Sequence, residues 1–344
     1  MGARARVPGH DLRMPHLPTD RATTRSPLPL VTSAEARVLQ LGVSGPGFAR
    51  VRRGVYVDAA AAARLAPWQR YALRVHAFAL AHPDAVLCLE SAAVLLGLPL
   101  FGETRDIHVF DPDRTASRRF GDVCVHTSTD AREIVRVDGI LCTSPADAVV
   151  DLARVLPPAQ ALAVVDAAIS PRQSGMLVVD DLRERAASQA SRRGVARLAW
   201  VWAHADARAE SPGESVSRAV IRWCGFEDPV LQAEFRYEGV TDRTDFLFPS
   251  SRTVGKSDGW GKYGIGDNDA LERAALRFRD EKRREDRLRR AGHPVARWEM
   301  ADAVRVEPLA TALQRAAVRL VRPRDRAGLA SLRQTPRALP HRPQ

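Results

Sequence analysis

Apolar positions recur with helical spacing in some segments of the chain and alternate with polar positions in others. Residues 31–60 begin with a short helical run behind a cap candidate at Thr32 or Ser33 and end in the β-like run 55–57. Between these runs lies the segment 45–47, Gly-Pro-Gly, whose residues break helices. The pattern therefore predicts a helix and a hairpin, with no long recognition helix between them.

Residues 66–205 predict a mixed α/β unit. Two helices are expected within 66–98, where Leu73 and Phe78 contribute to an apolar face. Alternating runs predict strands at 106–110 and 122–128, and helical spacing predicts helices at 143–156, 159–169 and 178–189.

Beyond Ser211 the pattern predicts the order helix, three strands, helix, strand, helix. The first helix begins with Ser211 as its cap, Pro212 at the first helical position and Glu214 at the third. The later elements are strands at 230–237, 242–248, 252–258 and 294–300, a charged helix from about Asp269 to Gly292, and a closing helix over 303–320. This is the order of a restriction-endonuclease-like core.

Composition adds a candidate partner. The 344 residues suffice for about two or three globular units. The chain carries 52 lysines and arginines against 41 aspartates and glutamates, a formal net charge of +11. That excess favours a polyanion such as DNA, although an arginine-rich proteome produces it without such a role. No signal-peptide core or membrane-spanning run is present, so a cytoplasmic protein without membrane contact is expected.

The cysteines and histidines are not spaced as metal ligands. Four cysteines are scattered without a CxxC pair or a zinc-finger pattern, which predicts reduced thiols. The histidines of the middle unit are predicted to be structural, and they are His76, His82, His108 and His126.

The fold class predicted from these patterns is α/β (α+β), with an N-terminal winged-helix-like and mixed α/β part followed by an αβββαβ domain. The predicted parts are a disordered basic tail (1–29), a degenerate winged-helix-like region (30–65), a mixed α/β domain (66–205), a restriction-endonuclease-like domain (210–322) and a disordered tail (323–344). The alternative for residues 30–65 is a helix and hairpin that only dock on the next domain.

Several short motifs carry a family resemblance. They are 54-GVYV-57, 90-ESAAVLLGLPL-100, 143-TSPADAVVDLA-153, 210-ESPGES-215, 244-TDFLFP-249, 258-DGWGKY-263 and 281-EKRREDRLRRAG-292. In these motifs the chain resembles actinobacterial proteins that join an AbiEi-antitoxin-like N-terminal region to a C-terminal domain similar to very-short-patch-repair endonucleases. Such a domain belongs to the PD-(D/E)xK nuclease superfamily. The resemblance covers about Val31 to Leu320.

The resemblance implies a catalytic site in the C-terminal domain. Glu214, Asp245 and Asp258 would hold Mg²⁺, and Lys262 or Lys256 would assist the attacking water. A hard cation on oxygen ligands polarises a phosphodiester and lowers the pKa of bound water.

One departure from the family pattern bears on activity. Lys256 stands where such relatives carry a glutamate, so 256-KSD-258 replaces an E-x-D arrangement. Exchanging the two groups moves each by one strand repeat, roughly 6–7 Å, whereas Mg²⁺ and Ca²⁺ require oxygen ligands at about 2.0–2.6 Å. We therefore expect weakened or lost metal binding in a domain that keeps its fold and contacts DNA.

Each site candidate also has a structural interpretation. Glu214 completes a capping box, Asp245 lies on a hairpin surface, and Lys256 is either a phosphate contact or a solvated strand residue. Predicted DNA contacts are Arg50, Arg52, Arg53, Lys262, Arg283 and Arg284. In the charged helix, opposite charges recur at i and i+4, which equally indicates a solvated face.

Two functions follow from these observations. The first is a DNA-binding protein with a nuclease-like C-terminal domain whose activity is degenerate or unproven. The alternative is an AbiEi-like transcriptional regulator or antitoxin of a type IV toxin–antitoxin system, with a cognate toxin as partner and a non-catalytic scaffold domain. The sequence assigns no oligomeric state.

Overall fold

The computed structural model describes residues 25–258, 268–334 and 337, with the backbone alone over 268–278. Within these residues there are thirteen helices and three sheets, which confirms the mixed α/β class. The described residues divide into two compact units, those up to Ala148 together with Arg337, and those from Val149 onward. The predicted domain limits stay predictions, and most of the predicted N-terminal tail (1–29) lies outside the described residues. No helix among these residues has the length and apolar character needed to cross a bilayer.

The first unit begins with a small three-stranded sheet. Its elements are β1 (Val31–Thr32), α1 (Ser33–Val38), β2 (Phe48–Arg52) and β3 (Val55–Asp58), with strand order β1-β3-β2. Thr32 caps α1, and the side chain of Glu35 in turn accepts from the Thr32 backbone N–H. Residues 39–47 form turns, as the Gly-Pro-Gly segment predicts. The winged-helix interpretation of this region stays a prediction.

A six-stranded sheet and several helices make up the rest of the first unit. The helices are α2 (Ala59–Ala63), α3 (Pro67–Ala81), α4 (Leu89–Leu95) and α5 (Pro145–Val155). The division between the two units falls within α5. The strands are β4 (Val86–Leu87), β5 (Ile107–Phe110), β6 (Arg118–Phe120), β7 (Val123–His126), β8 (Ile134–Val137) and β9 (Ile140–Thr143), in the order β6-β7-β5-β4-β9-β8. The core includes the fully buried Tyr71, Leu95 and Ile107.

The second unit starts with helices and continues into a four-stranded sheet. The helices are α6 (Pro158–Ile169), α7 (Val179–Ser188), α8 (Val195–His204) and α9 (Pro212–Trp223). Then come β10 (Val230–Tyr237), β11 (Val240–Phe248), β12 (Thr253–Asp258), α10 (Asn268–Arg290) and β13 (Val295–Glu299). The sheet order is β10-β11-β12-β13, with β12 and β13 parallel. The predicted αβββαβ order is confirmed, and α10 is the crossover that a parallel pair requires.

One face of this sheet packs on α9 through tightly fitted side chains. A Cβ at Gly255 would lie 2.7 Å from the ring of Trp298 and 3.1 Å from Phe246, so only glycine fits there. The indole N–H of Trp298 donates to the Ser217 hydroxyl of α9 at 2.8 Å. The opposite face, toward α10, carries the polar side chains of the candidate site.

The C-terminal residues differ from the prediction at the closing helix and by a short helix within the predicted tail. The single closing helix predicted over 303–320 is wrong, because α11 (Met300–Arg305) and α12 (Glu307–Arg315) are separated at Val306, whose φ is 72°. Pro308 is tolerated only in a first helical turn, so it forces a new helix to begin. Within the predicted tail, α13 (Arg326–Ser331) is capped by Asp325.

Candidate functional site

The second unit brings three predicted site residues onto neighbouring elements. Glu214 lies in the first turn of α9, Asp245 lies in β11, and Lys256 lies in β12. The pairing of Phe246 with Gly255 places Asp245 and Lys256 at adjacent positions on the face toward α10. Lys262 lies outside the described residues.

Glu214 contributes to the start of α9 and also faces the site, but it does not complete the predicted capping box, because its carboxylate bonds to the Glu210 and not to the Ser211 backbone N–H. Its carboxylate accepts from the Ser211 hydroxyl at 2.8 Å and from the Glu210 backbone N–H at 3.0 Å, so it helps to cap α9. The Gln232 side-chain amide donates to the same carboxylate at 2.9 Å. Burial and the nearby charge of Asp245 raise the pKa of Glu214 to about 7. The group therefore holds a proton far more readily than an ordinary glutamate.

Gln232 reaches Glu214 from a strained backbone position that the sequence does not reveal. Its φ is 54° although it lies within β10, and it stands between paired residues, opposite Asp245. Left-handed backbone at a non-glycine residue costs about 1–3 kcal/mol, and such residues cluster at functional sites. This backbone conformation directs the Gln232 side-chain amide toward the buried Glu214 carboxylate.

Lys256 supplies the positive charge of this site. Its ammonium contacts Glu281 of α10, and it lies close enough to Asp245 to lower the pKa of that carboxyl against the stronger effect of burial, which raises it. The Asp245 carboxylate also accepts from the Ser257 backbone N–H at 3.1 Å. Burial opposes ionisation of Glu281, but hydrogen bonds from Arg284 and Lys256 lower its pKa to about 2.

We refer to Glu214, Asp245, Lys256 and Glu281 as the carboxylate cluster. Its side chains come from α9, β11, β12 and α10, and an open pocket beside it is lined in part by Thr244, Asp245, Lys256, Glu281 and Arg284. Sequence reasoning missed Glu281, because its alternating charged neighbours are equally typical of a solvated helix face.

Asp258 is bound by an arginine of the neighbouring strand. Arg297 of β13 donates to both Asp258 oxygens at 3.0 Å and also to Glu285 of α10 at 2.8 Å. Among the residues that the structure describes, Glu214, Asp245 and Asp258 are not a set of three ligands with donor atoms all within 4.8 Å of one another. In this arrangement the three carboxylates do not converge on one position, as shared ligands of a divalent cation would have to.

The predicted DNA-contacting arginines fall into two groups. Arg50 and Arg53 are exposed on the β2–β3 hairpin, and Arg283 is exposed on α10. Arg52 instead pairs with Asp122 at 2.8 Å and stacks over Phe78, while Arg284 donates to Glu281 and to the Arg243 carbonyl.

Comparison with known proteins supports part of the resemblance. Residues 85–201 match the family model described as the AbiEi antitoxin C-terminal domain, which confirms that segment of the resemblance. Uncharacterized protein MT2308 of Mycobacterium tuberculosis strain CDC 1551 and Uncharacterized protein Rv2248 of strain H37Rv are each 36% identical over 169 residues, 49% of this chain. The chain spans 60% of the length of these curated relatives. No solved structure matches, and the endonuclease part of the resemblance stays a prediction.

Proposed function

We propose that this chain is a DNA-binding regulator of the antitoxin type whose C-terminal αβββαβ domain is a nuclease-like scaffold that does not cleave. The observation that carries the proposal is the match of residues 85–201 to the AbiEi antitoxin C-terminal domain. A cognate toxin is the second partner that this proposal implies. The expected location is the cytoplasm, where the four free cysteines stay reduced.

The charges of the carboxylate cluster support the absence of cleavage. Phosphodiester hydrolysis on this fold needs a divalent cation between carboxylates, to polarise the phosphate and activate water. Here the Lys256 ammonium already neutralises charge beside Asp245 and Glu281. The Arg297 guanidinium does the same for Asp258. The chain's own cations thus occupy the electrostatic role of the metal.

The net charge of +11 and the exposed arginines of the β2–β3 hairpin support DNA as the partner. Arg50 and Arg53 extend into solvent at the edge of the small sheet, where a wing would contact phosphates. Phosphate contacts release counterions, so the logarithm of the binding constant should fall linearly with the logarithm of salt concentration.

The test uses the full chain in two assays. In the first, binding to a duplex from its own upstream region is compared with binding to a scrambled duplex over a range of salt concentrations. We expect tighter binding to the upstream duplex and a steep salt dependence. Equal binding to both, or binding without salt dependence, would overturn the regulator proposal.

The second assay incubates supercoiled plasmid with the protein and Mg²⁺ or Mn²⁺. We expect the plasmid to stay intact. Nicking by the wild type that disappears in Asp245→Ala would instead establish a metal-dependent nuclease, with Asp245 in its site.

A further inference from the structure

A group of histidine and cysteine side chains, types that can bind a metal ion, lies on the six-stranded sheet of the first unit. His108 of β5 and Cys124 and His126 of β7 each offer one donor atom, and these three atoms all lie within 4.8 Å of one another. His108 Nδ1 and His126 Nε2 are 2.9 Å apart. We call these three residues the imidazole–thiol cluster.

Strand pairing brings these residues together although their sequence spacing does not indicate it. Parallel β5 and β7 pair with His108 beside Cys124 and Phe110 beside His126. Alternate residues of a strand share a face, so Cys124 and His126 project from the same side of β7 as their neighbour His108 projects from β5. The prediction of purely structural histidines rested on spacing along the chain, which does not capture this arrangement.

We propose that His108, Cys124 and His126 form a zinc-binding site. Two imidazoles and a thiolate are the ligand types that Zn²⁺ prefers, at about 2.0–2.1 Å for nitrogen and 2.3 Å for sulfur. Tetrahedral coordination at those lengths separates two nitrogens by about 3.3 Å. The two rings therefore need to move apart by only a few tenths of an ångström from their present 2.9 Å.

The surroundings of the cluster resemble the outer shell of a metal site. A metal-bound histidine usually donates its second ring N–H to a carboxylate, which fixes the ring orientation. His108 Nε2 lies 3.4 Å from a carboxylate oxygen of Glu90, which is buried and held in place by the Arg337 guanidinium. That carboxylate is in position to accept the N–H of a ligating His108.

Metal binding would shift the protons at the cluster in a defined way. Without metal, Arg337 donates to His108 Nε2 at 3.1 Å, so neutral His108 carries its proton on Nδ1 and donates to His126 Nε2 at 2.9 Å. With Zn²⁺, His108 Nδ1 and His126 Nε2 both present lone pairs. The His108 proton then moves to Nε2, where it points to Glu90 in place of the Arg337 hydrogen bond, and the Cys124 proton is released to solvent.

Access and ligand count suit an ion that enters from solvent. His108 is buried, whereas Cys124 and His126 are only partly buried, so an ion can enter from the β7 side. Three protein ligands leave a fourth position for water. Asp106 is close, since its carboxylate accepts from the Cys124 thiol at 3.4 Å.

The test measures zinc bound to the full chain. Protein stripped with EDTA is incubated with Zn²⁺, desalted, and analysed for zinc by mass spectrometry. We expect one equivalent in the wild type and in His82→Asn, a matched change at an exposed histidine of the same unit. Cys124→Ser and His126→Asn should lose that equivalent. Cobalt titration should give a thiolate-to-cobalt charge-transfer band that is absent in Cys124→Ser.

Two results would overturn the site. One is a wild type that retains no zinc, and the other is a full equivalent retained by both Cys124→Ser and His126→Asn. A measurement without mutation covers the case in which the variants misfold: alkylation of Cys124, followed by peptide mass spectrometry, should slow when Zn²⁺ is added. An alkylation rate indifferent to Zn²⁺ also contradicts the site.

Discussion

The two units differ in the charge of the clustered polar side chains on their sheets: those of the second unit are ionised and paired, and those of the first are neutral donors. In the second unit, the carboxylate cluster combines three acidic residues with the Lys256 ammonium, and Arg284 also binds Glu281. In the first unit, the imidazole–thiol cluster itself has no acidic member, and the Arg337 guanidinium that contacts His108 is bound by Glu90. The first arrangement pairs acidic groups with cations of the chain, whereas the second brings three neutral donor atoms within 4.8 Å of one another.

The contrast follows from the cost of burying charge. A carboxylate removed from water needs a cation or several hydrogen bonds, and removing one partner of a buried pair is strongly destabilising. The second unit meets this need with internal cations, as when Arg287 pairs with the buried Asp242 at 2.6 Å. Neutral donors such as imidazole carry a smaller penalty, so their burial in the first unit does not require a charged partner.

The largest expected effect comes from Lys256→Glu, which reverses the charge balance of the carboxylate cluster. The variant places a third carboxylate beside Asp245 and Glu281 in place of the ammonium. We expect a loss of about 3–5 kcal/mol in the free energy of unfolding of the second unit. Part of this loss should be recovered on adding Mg²⁺ or Mn²⁺, because a cation bound only by the folded state stabilises it. Urea unfolding, followed by tryptophan fluorescence, measures both changes.

The control for this prediction is Lys282→Glu, the same charge change at an exposed position of α10. We expect it to stay within about 0.5 kcal/mol of the wild type, with no response to divalent cations. If Lys256→Glu is as stable as this control, then Lys256 does not neutralise the cluster. A gain of metal-dependent plasmid cleavage in Lys256→Glu would show, in addition, that the lysine silenced the site.

Short sequence patterns predict most of the helices and strands that carry the carboxylate cluster. Alternation predicts β10 over 230–237 with both limits as observed, and the sequence Ser-Pro-Gly-Glu predicts the cap of α9 at Ser211. The match at the start of α9 is local because a cap depends on three or four consecutive residues. Pro308 carried an equally local signal that the predicted closing helix overlooked.

Tertiary placement accounts for the site residues that sequence reasoning missed. Glu281 meets Lys256 only because α10 crosses back over β12, and Gln232 reaches Glu214 only through a left-handed backbone. His108 and Cys124 are neighbours through a parallel strand pairing that no local pattern encodes. These contacts depend on topology and register, which become fixed only when the whole sheet forms.

The next prediction concerns pH and tests whether burial of Glu214 destabilises the second unit. Its pKa rises from an ordinary 4.5 to about 7 in the folded chain. The folded state therefore binds this proton more tightly than the unfolded state. The resulting stability is fully present below about pH 4.5 and is lost as pH rises through about 7. The loss amounts to at most about 3 kcal/mol.

Glu214→Gln should remove this pH dependence. At pH 8 we expect the variant to equal or exceed the wild type in unfolding free energy, and at pH 4.5 we expect it to fall relative to the wild type. Glu234→Gln, at an exposed position of β10, serves as the control and should follow the wild-type curve. Parallel pH curves for Glu214→Gln and the wild type would contradict the raised pKa.

Metal-dependent stability sharpens the comparison between the units. If the imidazole–thiol cluster binds zinc, Zn²⁺ at about 100 times its dissociation constant should add about 2.7 kcal/mol to the stability of the first unit. Mg²⁺ at the same concentration should add nothing to the stability of the wild type, because the carboxylate cluster already contains the Lys256 ammonium. Thermal unfolding with each ion, in wild type and Cys124→Ser, separates the two. Stabilisation of both proteins by Zn²⁺, or of the wild type by Mg²⁺, contradicts this contrast.

The smallest expected effect concerns the two exposed arginines of the β2–β3 hairpin. The double variant Arg50→Ala/Arg53→Ala removes two exposed cations of the β2–β3 hairpin. Because neither arginine belongs to the carboxylate cluster, we expect unchanged stability and weaker binding to duplex DNA. If each contacts one phosphate, the slope of log K against log salt should become shallower by about 0.9 per arginine. Arg290→Ala is the matched control, since that exposed arginine is held by Glu238 at 2.8 Å. An equal change in the slope for Arg290→Ala would assign the DNA affinity to overall charge, because it would show that the hairpin has no special role.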